Sequence, residues 1–130
     1  MISDSFRATW SPRVLSILRI VVGLLFMEHG LSKYFGFPMV PPFHVAGILW
    51  AAGAIEIVAG ALVAIGLFTR PAAFIASGEM AVGYFMSHFP KSFFPLVNGG
   101  DGAVLFCFIF LFFALEGGGP WGIDGARSRR

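Results

Sequence analysis

Four long apolar stretches, separated by charged and turn-forming residues, set the pattern of the chain. They cover 14–31, 45–68, 71–89 and 100–115. A helix needs about 20 predominantly apolar residues to cross a bilayer. Within lipid only helices and closed barrels satisfy the backbone, and none of these stretches shows the two-residue alternation of a strand. The pattern therefore predicts an all-α, integral membrane four-helix bundle, with a single domain over 1–130. The short "TRP" at Thr69–Pro71 predicts an antiparallel hairpin of the second and third helices, with Pro71 in the first helical turn. The Pro- and Gly-containing segment from Tyr34 to His44 predicts a longer loop. No A-x-A-like site follows the first stretch, so it is expected to stay as a helix rather than be removed as a signal peptide.

Composition supports this class. Of 130 residues, 57% are hydrophobic and only 12% charged, and 16 are Phe. Soluble domains carry about 25% charged residues, and so many Phe would overfill a small soluble core. The net charge of +2 gives no footing for nucleic acid. The single cysteine, Cys107, excludes an intramolecular disulfide and a CxxC dithiol. Arg7, Arg13, Arg70, Arg127, Arg129 and Arg130 fall on one side of a four-span arrangement, Lys33 and Lys91 on the other. The positive-inside rule then places both termini in the cytoplasm of a multi-pass membrane protein.

Ionisable residues inside apolar stretches are the functional signal, because a charge at membrane depth is costly. At about 1.5 Å per residue, Glu56 lies roughly 16 Å below the outer face and Glu79 roughly 12 Å above the inner one. Both carboxylates thus sit at similar mid-depth on neighbouring helices. Arg19, roughly 7 Å from the inner end of the first helix, is expected to form a structural ion pair with Glu79, or else with Glu56. Helical phase puts Arg19, Phe26, Gly30 and Lys33 on one face of the first helix, with His29 beside it and Glu28 opposite. Ala52, Glu56, Gly60 and Ala64 form a small-residue stripe on the second, of the kind that lets helices approach closely.

An outward-facing pocket is predicted from these positions. Lys33, His29 and His88 would stand at its rim with Asp101, and Glu56 at its floor. Its mix of donors and acceptors suits a quinone headgroup or similar small ligand. Other readings of the same residues are local: Asp101 as a helix N-cap, or Lys33 and Asp101 as an interfacial ion pair. No metal site is expected. His29 and His88 lack a CxxCH or HExxH spacing, so haem is set aside. Glu28, on the outward face, suits a second subunit of a homo-oligomer or lipid headgroups.

The blocks "RIVVGLLFMEHGLSKYFGFP", "GAIEIVAGALVAIGLFTRP", "GEMAVGYFMSHFP" and "NGGDGAVLFCFIFLFF…GGGPWGID" resemble, in that order, the motifs of the DoxX family of small bacterial inner-membrane proteins. The resemblance implies four membrane helices. It matches an HG-x-x-K element at His29, Gly30 and Lys33, a second-helix Glu at Glu56, and a His after the third helix at His88. Gly99-Gly100-Asp101 stands where relatives usually carry GGE. The resemblance also implies a redox-associated component, a subunit or accessory of a membrane oxidoreductase that binds a quinone and works with a redox protein partner. Two other classes fit the residues: a small transporter or proton relay, for which paired intramembrane carboxylates are suggestive, and a structural assembly protein without a ligand.

Overall fold

The computed structural model describes residues 1–129; Arg130, counted above among the basic residues, lies outside them. Among the described residues the regular structure is entirely helical. α1 spans Asp4–Phe35, α2 Ile48–Ile65 and α3 Thr69–Ser87. A 3-10 turn at Phe89–Lys91 follows, then a short α4 at Pro95–Asn98, α5 at Asp101–Glu116 and a short α6 at Ile123–Ser128.

α1 begins ten residues before the predicted boundary. Ser3 caps it, its hydroxyl accepting from the Phe6 N–H, and Asp4 sits in the first turn where the helix dipole favours an anion. Pro12 is tolerated inside the helix. The end at Phe35 is set by Gly36, whose φ of 65° returns its N–H to the Ser32 carbonyl. α2 is shorter than 45–68 because glycines bound it: Gly47 breaks the chain before Ile48, and Gly66 caps it in the left-handed region. α3 stops at Ser87 rather than 89, since Pro90 has no N–H to continue its ladder and the chain passes into the 3-10 turn instead. α5, at Asp101–Glu116, is close to the expected 100–115.

α1 packs along α2 and α3 along α5, and the two pairs meet through α2 with α3 and α1 with α5. Glycine makes the first of these contacts close. A Cβ added at Gly23 would lie 2.6 Å from the Ala64 N, and one at Gly60 would lie 2.8 Å from the Met27 N. Between the helices lies an apolar core that includes Phe26, Val63, Ala73, Phe110 and Phe113. The outer surface is also apolar, with Leu24, Leu25, Phe74, Ile75, Val82, Phe85, Leu105 and Phe108 all exposed. α1 and α2 are long and apolar enough to cross a membrane, yet only 33% and 28% of their most apolar windows are buried. A core helix of a soluble protein would be mostly covered. Large apolar surface on every helix calls for lipid as the solvent.

Candidate functional site

Lys33, in the last turn of α1, turns its side chain inward to Glu56 on α2. Its Nζ donates to both carboxylate oxygens, at 2.6 and 2.7 Å. The pair is secluded: the side chains are 11% and 3% exposed. Gly53 makes room for this geometry, because a Cβ there would press on the Tyr34 ring at 2.8 Å and approach the Lys33 Cβ at 3.4 Å. Tyr34 fixes the same end of α1 to α2 by donating to the Trp50 carbonyl at 2.7 Å. α3 brings Glu79 beside Glu56 and into the field of Lys33. The Oε2 of Glu79 is buried and has no hydrogen-bond partner. One cation and two carboxylic groups thus share a largely buried site on three helices. A buried carboxylate oxygen without a donor is costly, so this atom calls for a proton or a ligand.

The expected pair of Arg19 with Glu79 does not form. Arg19 points to the opposite end of the molecule, where Nη1 and Nη2 donate to the Gly118 and Trp121 carbonyls, each at 2.7 Å. Its residue is 1% exposed, and glycines make the cradle. A Cβ at Gly66, Gly118 or Gly122 would meet the guanidinium or its stem within 3 Å. Ser16 adds to the clasp by accepting from the Trp121 N–H at 3.1 Å. Asp124 completes it, accepting from the N–H groups of Phe68 and Thr69 at 3.0 and 2.9 Å. Phe68 has a φ of 50°, and this carboxylate holds the turn in that conformation. Burial alone would raise the Asp124 pKa, but the donated bonds from Thr69 and Phe68, with Arg127 nearby, leave it below the ordinary value. A cavity of about 590 Å³ lies at this end, lined by Thr69, Arg70, Glu116, Asp124 and Arg129 among others.

The five residues of the predicted pocket divide into separate places. Only Lys33 and Glu56 come together. His29 lies on the exposed surface, its Nδ1 paired with the Leu25 carbonyl at 2.7 Å and its ring edge-on to Phe106. One helical turn separates it from Lys33, but it faces α5 while Lys33 faces α2. His88 belongs to another polar group. Its Nδ1 pairs with the Asn98 carbonyl at 3.1 Å, and its ring stacks on Tyr84. The buried Asn98 side chain donates to Tyr84 Oη and the Ser92 carbonyl, and accepts from the Gly100 N–H. Asp101 is exposed as the first residue of α5, and the N-cap position is Gly100. Lys33 pairs with Glu56 rather than Asp101. No group of three His, Cys, Asp or Glu side chains able to hold a metal occurs among the described residues.

Sequence reasoning thus missed Glu79 as the third member of the Lys33–Glu56 site, although its depth matched that of Glu56. It also missed Asn98 and Asp124. The glycine-rich "GGGPWGID" was the signal for the clasp, since four glycines beside one apolar helix leave space for something bulky.

A protein of Haemophilus influenzae, described as an uncharacterized protein, is 43% identical over 122 residues, spanning 88% of this chain and 91% of its own length. No solved structure matches the chain. The DoxX family model matches residues 14–89, which carry Lys33, Glu56 and Glu79 together with most of α1 and all of α2 and α3. Motif, packing and matched span agree: this all-helical membrane protein belongs to the DoxX family.

Proposed function

We propose that the protein is a multi-pass protein of the bacterial inner membrane in which α1, α2, α3 and α5 form a four-helix bundle with both termini cytoplasmic. Its working centre is the Lys33–Glu56–Glu79 cluster, which binds and releases a proton within the membrane. The observation that carries this reading is the Oε2 of Glu79, buried and without a partner, beside a carboxylate whose two oxygens are both held by Lys33. Fully ionised, the three groups sum to one uncompensated negative charge in an apolar surrounding. A proton shared between Glu56 and Glu79 makes the cluster neutral and supplies the missing donor. Such a site serves a redox partner that must take up or shed protons, or a small proton relay.

A lipid-soluble carbodiimide tests it, because this reagent attacks carboxylic acids that hold a proton in an apolar setting. Mass spectrometry should find Glu79 or Glu56 modified in liposomes at neutral pH, and Glu79→Gln should lower the yield sharply. No modification of either residue would remove the proposal.

A quinone remains the fitting ligand for a second reading, supported by His29. With Nδ1 committed to Leu25, the other ring nitrogen of this exposed histidine is free to meet a headgroup arriving through lipid, with Phe106 as an apolar wall. A quinone found by mass spectrometry after purification in mild detergent, and lost in His29→Leu, would favour this reading.

A further inference from the structure

The interior on the two sides of the cluster is unlike. Toward the arginine-rich end it is filled: Phe26, Val63, Ala73, Ala76, Phe110 and Phe113 are each 0–1% exposed. Phe26 and Phe110 meet edge to face with centroids 4.7 Å apart, and Phe110 continues to Phe113 at 6.3 Å. Beyond this apolar plug the Arg19 clasp ties the 117–124 segment across α1 and the α2–α3 turn. An apolar layer buried to this degree is a barrier to water.

Toward the other end the packing loosens on one side, along α3. Gly83 stands one helical turn beyond Glu79 on the same face of α3. It is only partly buried, and a Cβ built there meets nothing within 4 Å. The glycines of the α1–α2 contact differ, since a Cβ at Gly23, Gly30 or Gly60 would strike backbone. Close approach of a neighbouring helix therefore does not explain a glycine at 83. Lys33 repeats the asymmetry from α1, its side chain reaching the cluster from the last turn before the 36–47 loop and staying 11% exposed where Glu56 is 3%.

We infer that the Lys33–Glu56–Glu79 cluster opens only toward the end formed by the 36–47 loop and the 88–100 segment, through the space beside Gly83. It exchanges protons with water on that side and does not conduct them across. The inference rests on the cluster being the proton site proposed above. A proton passes from hydronium at the Gly83 opening to a Glu79 carboxylate oxygen and returns by the same route; the plug of Phe26, Phe110 and Phe113 prevents its release to the arginine-rich side. The protein then senses or buffers one compartment, and a partner supplies any through-membrane step.

Side-specific labelling tests this in the full chain with Cys107→Ala, which leaves no native thiol. In that background Gly83→Cys should react with a membrane-impermeant, charged thiol reagent in right-side-out vesicles and not in inverted ones. Ala76→Cys, within the plug, should react in neither. Labelling of the Gly83→Cys variant from the arginine-rich side or from neither side, or labelling of the Ala76→Cys variant, overturns the inference. Filling the opening gives a second readout. Gly83→Leu should keep the folded state and slow protonation of the cluster after an external pH jump by about tenfold; an unchanged rate overturns it. Carbodiimide labelling reports the proton itself, so failure of the proton reading abolishes that signal. Failure of one-sided access instead changes the vesicle pattern while the signal persists.

Discussion

Removing Lys33 should do more damage than removing its partner, and the double change should repair part of the loss. In Lys33→Met both oxygens of Glu56 lose the donor now 2.6 and 2.7 Å away. A carboxylate 3% exposed is left beside Glu79. Breaking one side of a buried pair typically costs about 3–5 kcal/mol, and that range applies here. Glu56→Gln keeps a carbonyl oxygen for Lys33 and leaves Glu79 to balance the ammonium, so about 1–2 kcal/mol is expected. In the double variant no charge on Lys33 or Glu56 remains to be compensated. Its destabilisation should fall short of the summed single effects by about 2 kcal/mol or more, as residues in direct contact do. Reversible unfolding of all four proteins in mixed micelles measures the cycle. Additive losses, within about 0.5 kcal/mol, would refute an energetically coupled pair and reduce the contact to coincidence.

Three further outcomes follow from other parts of the molecule. Gly23→Val forces side-chain atoms against Ala64 and Gly60 backbone and should destabilise by about 3 kcal/mol or more by overpacking, whereas Gly78→Ala, with open space around it, should be neutral or slightly stabilising in the same unfolding assay. Arg19→Met removes both bonds to the 117–124 segment, so limited trypsin digestion should cut at Arg127 many times faster than in the wild type while the helical circular dichroism stays; equal cutting rates would contradict the clasp. The folded-state pKa of Asp124 lies below its ordinary value. Its stabilisation is therefore complete above the ordinary aspartate range and is lost as pH falls through the depressed value. Asp124→Asn should cost about 1 kcal/mol near neutral pH and nothing at pH low enough to protonate the wild-type side chain, read from melting temperatures across an acid series.

The long helices were legible because apolar runs bounded by glycine, proline and charge leave little choice of backbone in lipid. Their ends were less so. Ser3 and Asp4 carry α1 out beyond the apolar run, and a cap of this kind lies outside a count of hydrophobic residues. Depth along the chain correctly set Glu56 and Glu79 at one level, since rise per residue is fixed. What depth could not supply was direction. Arg19 and Lys33 share a face of α1, yet Arg19 reaches toward Gly118 and Lys33 toward Glu56, because carbonyls freed by the 117–122 segment compete for the guanidinium. His29 shows the limit of helical phase: a few tens of degrees decided between the Glu56 side and the Phe106 side. His88 and Asp101 were placed by sequence at the correct end of the molecule, but Asn98 draws His88 toward Tyr84, and Asp101 begins α5 facing outward.

Infrared difference spectroscopy of the protein in liposomes, stepped in pH around neutrality, tests the central claim most directly. The account predicts a protonated carboxyl band at pH 7 that shifts in deuterated water and disappears in both Glu79→Gln and Glu56→Gln. A spectrum with only ionised carboxylates at pH 7, unchanged by either substitution, would contradict it.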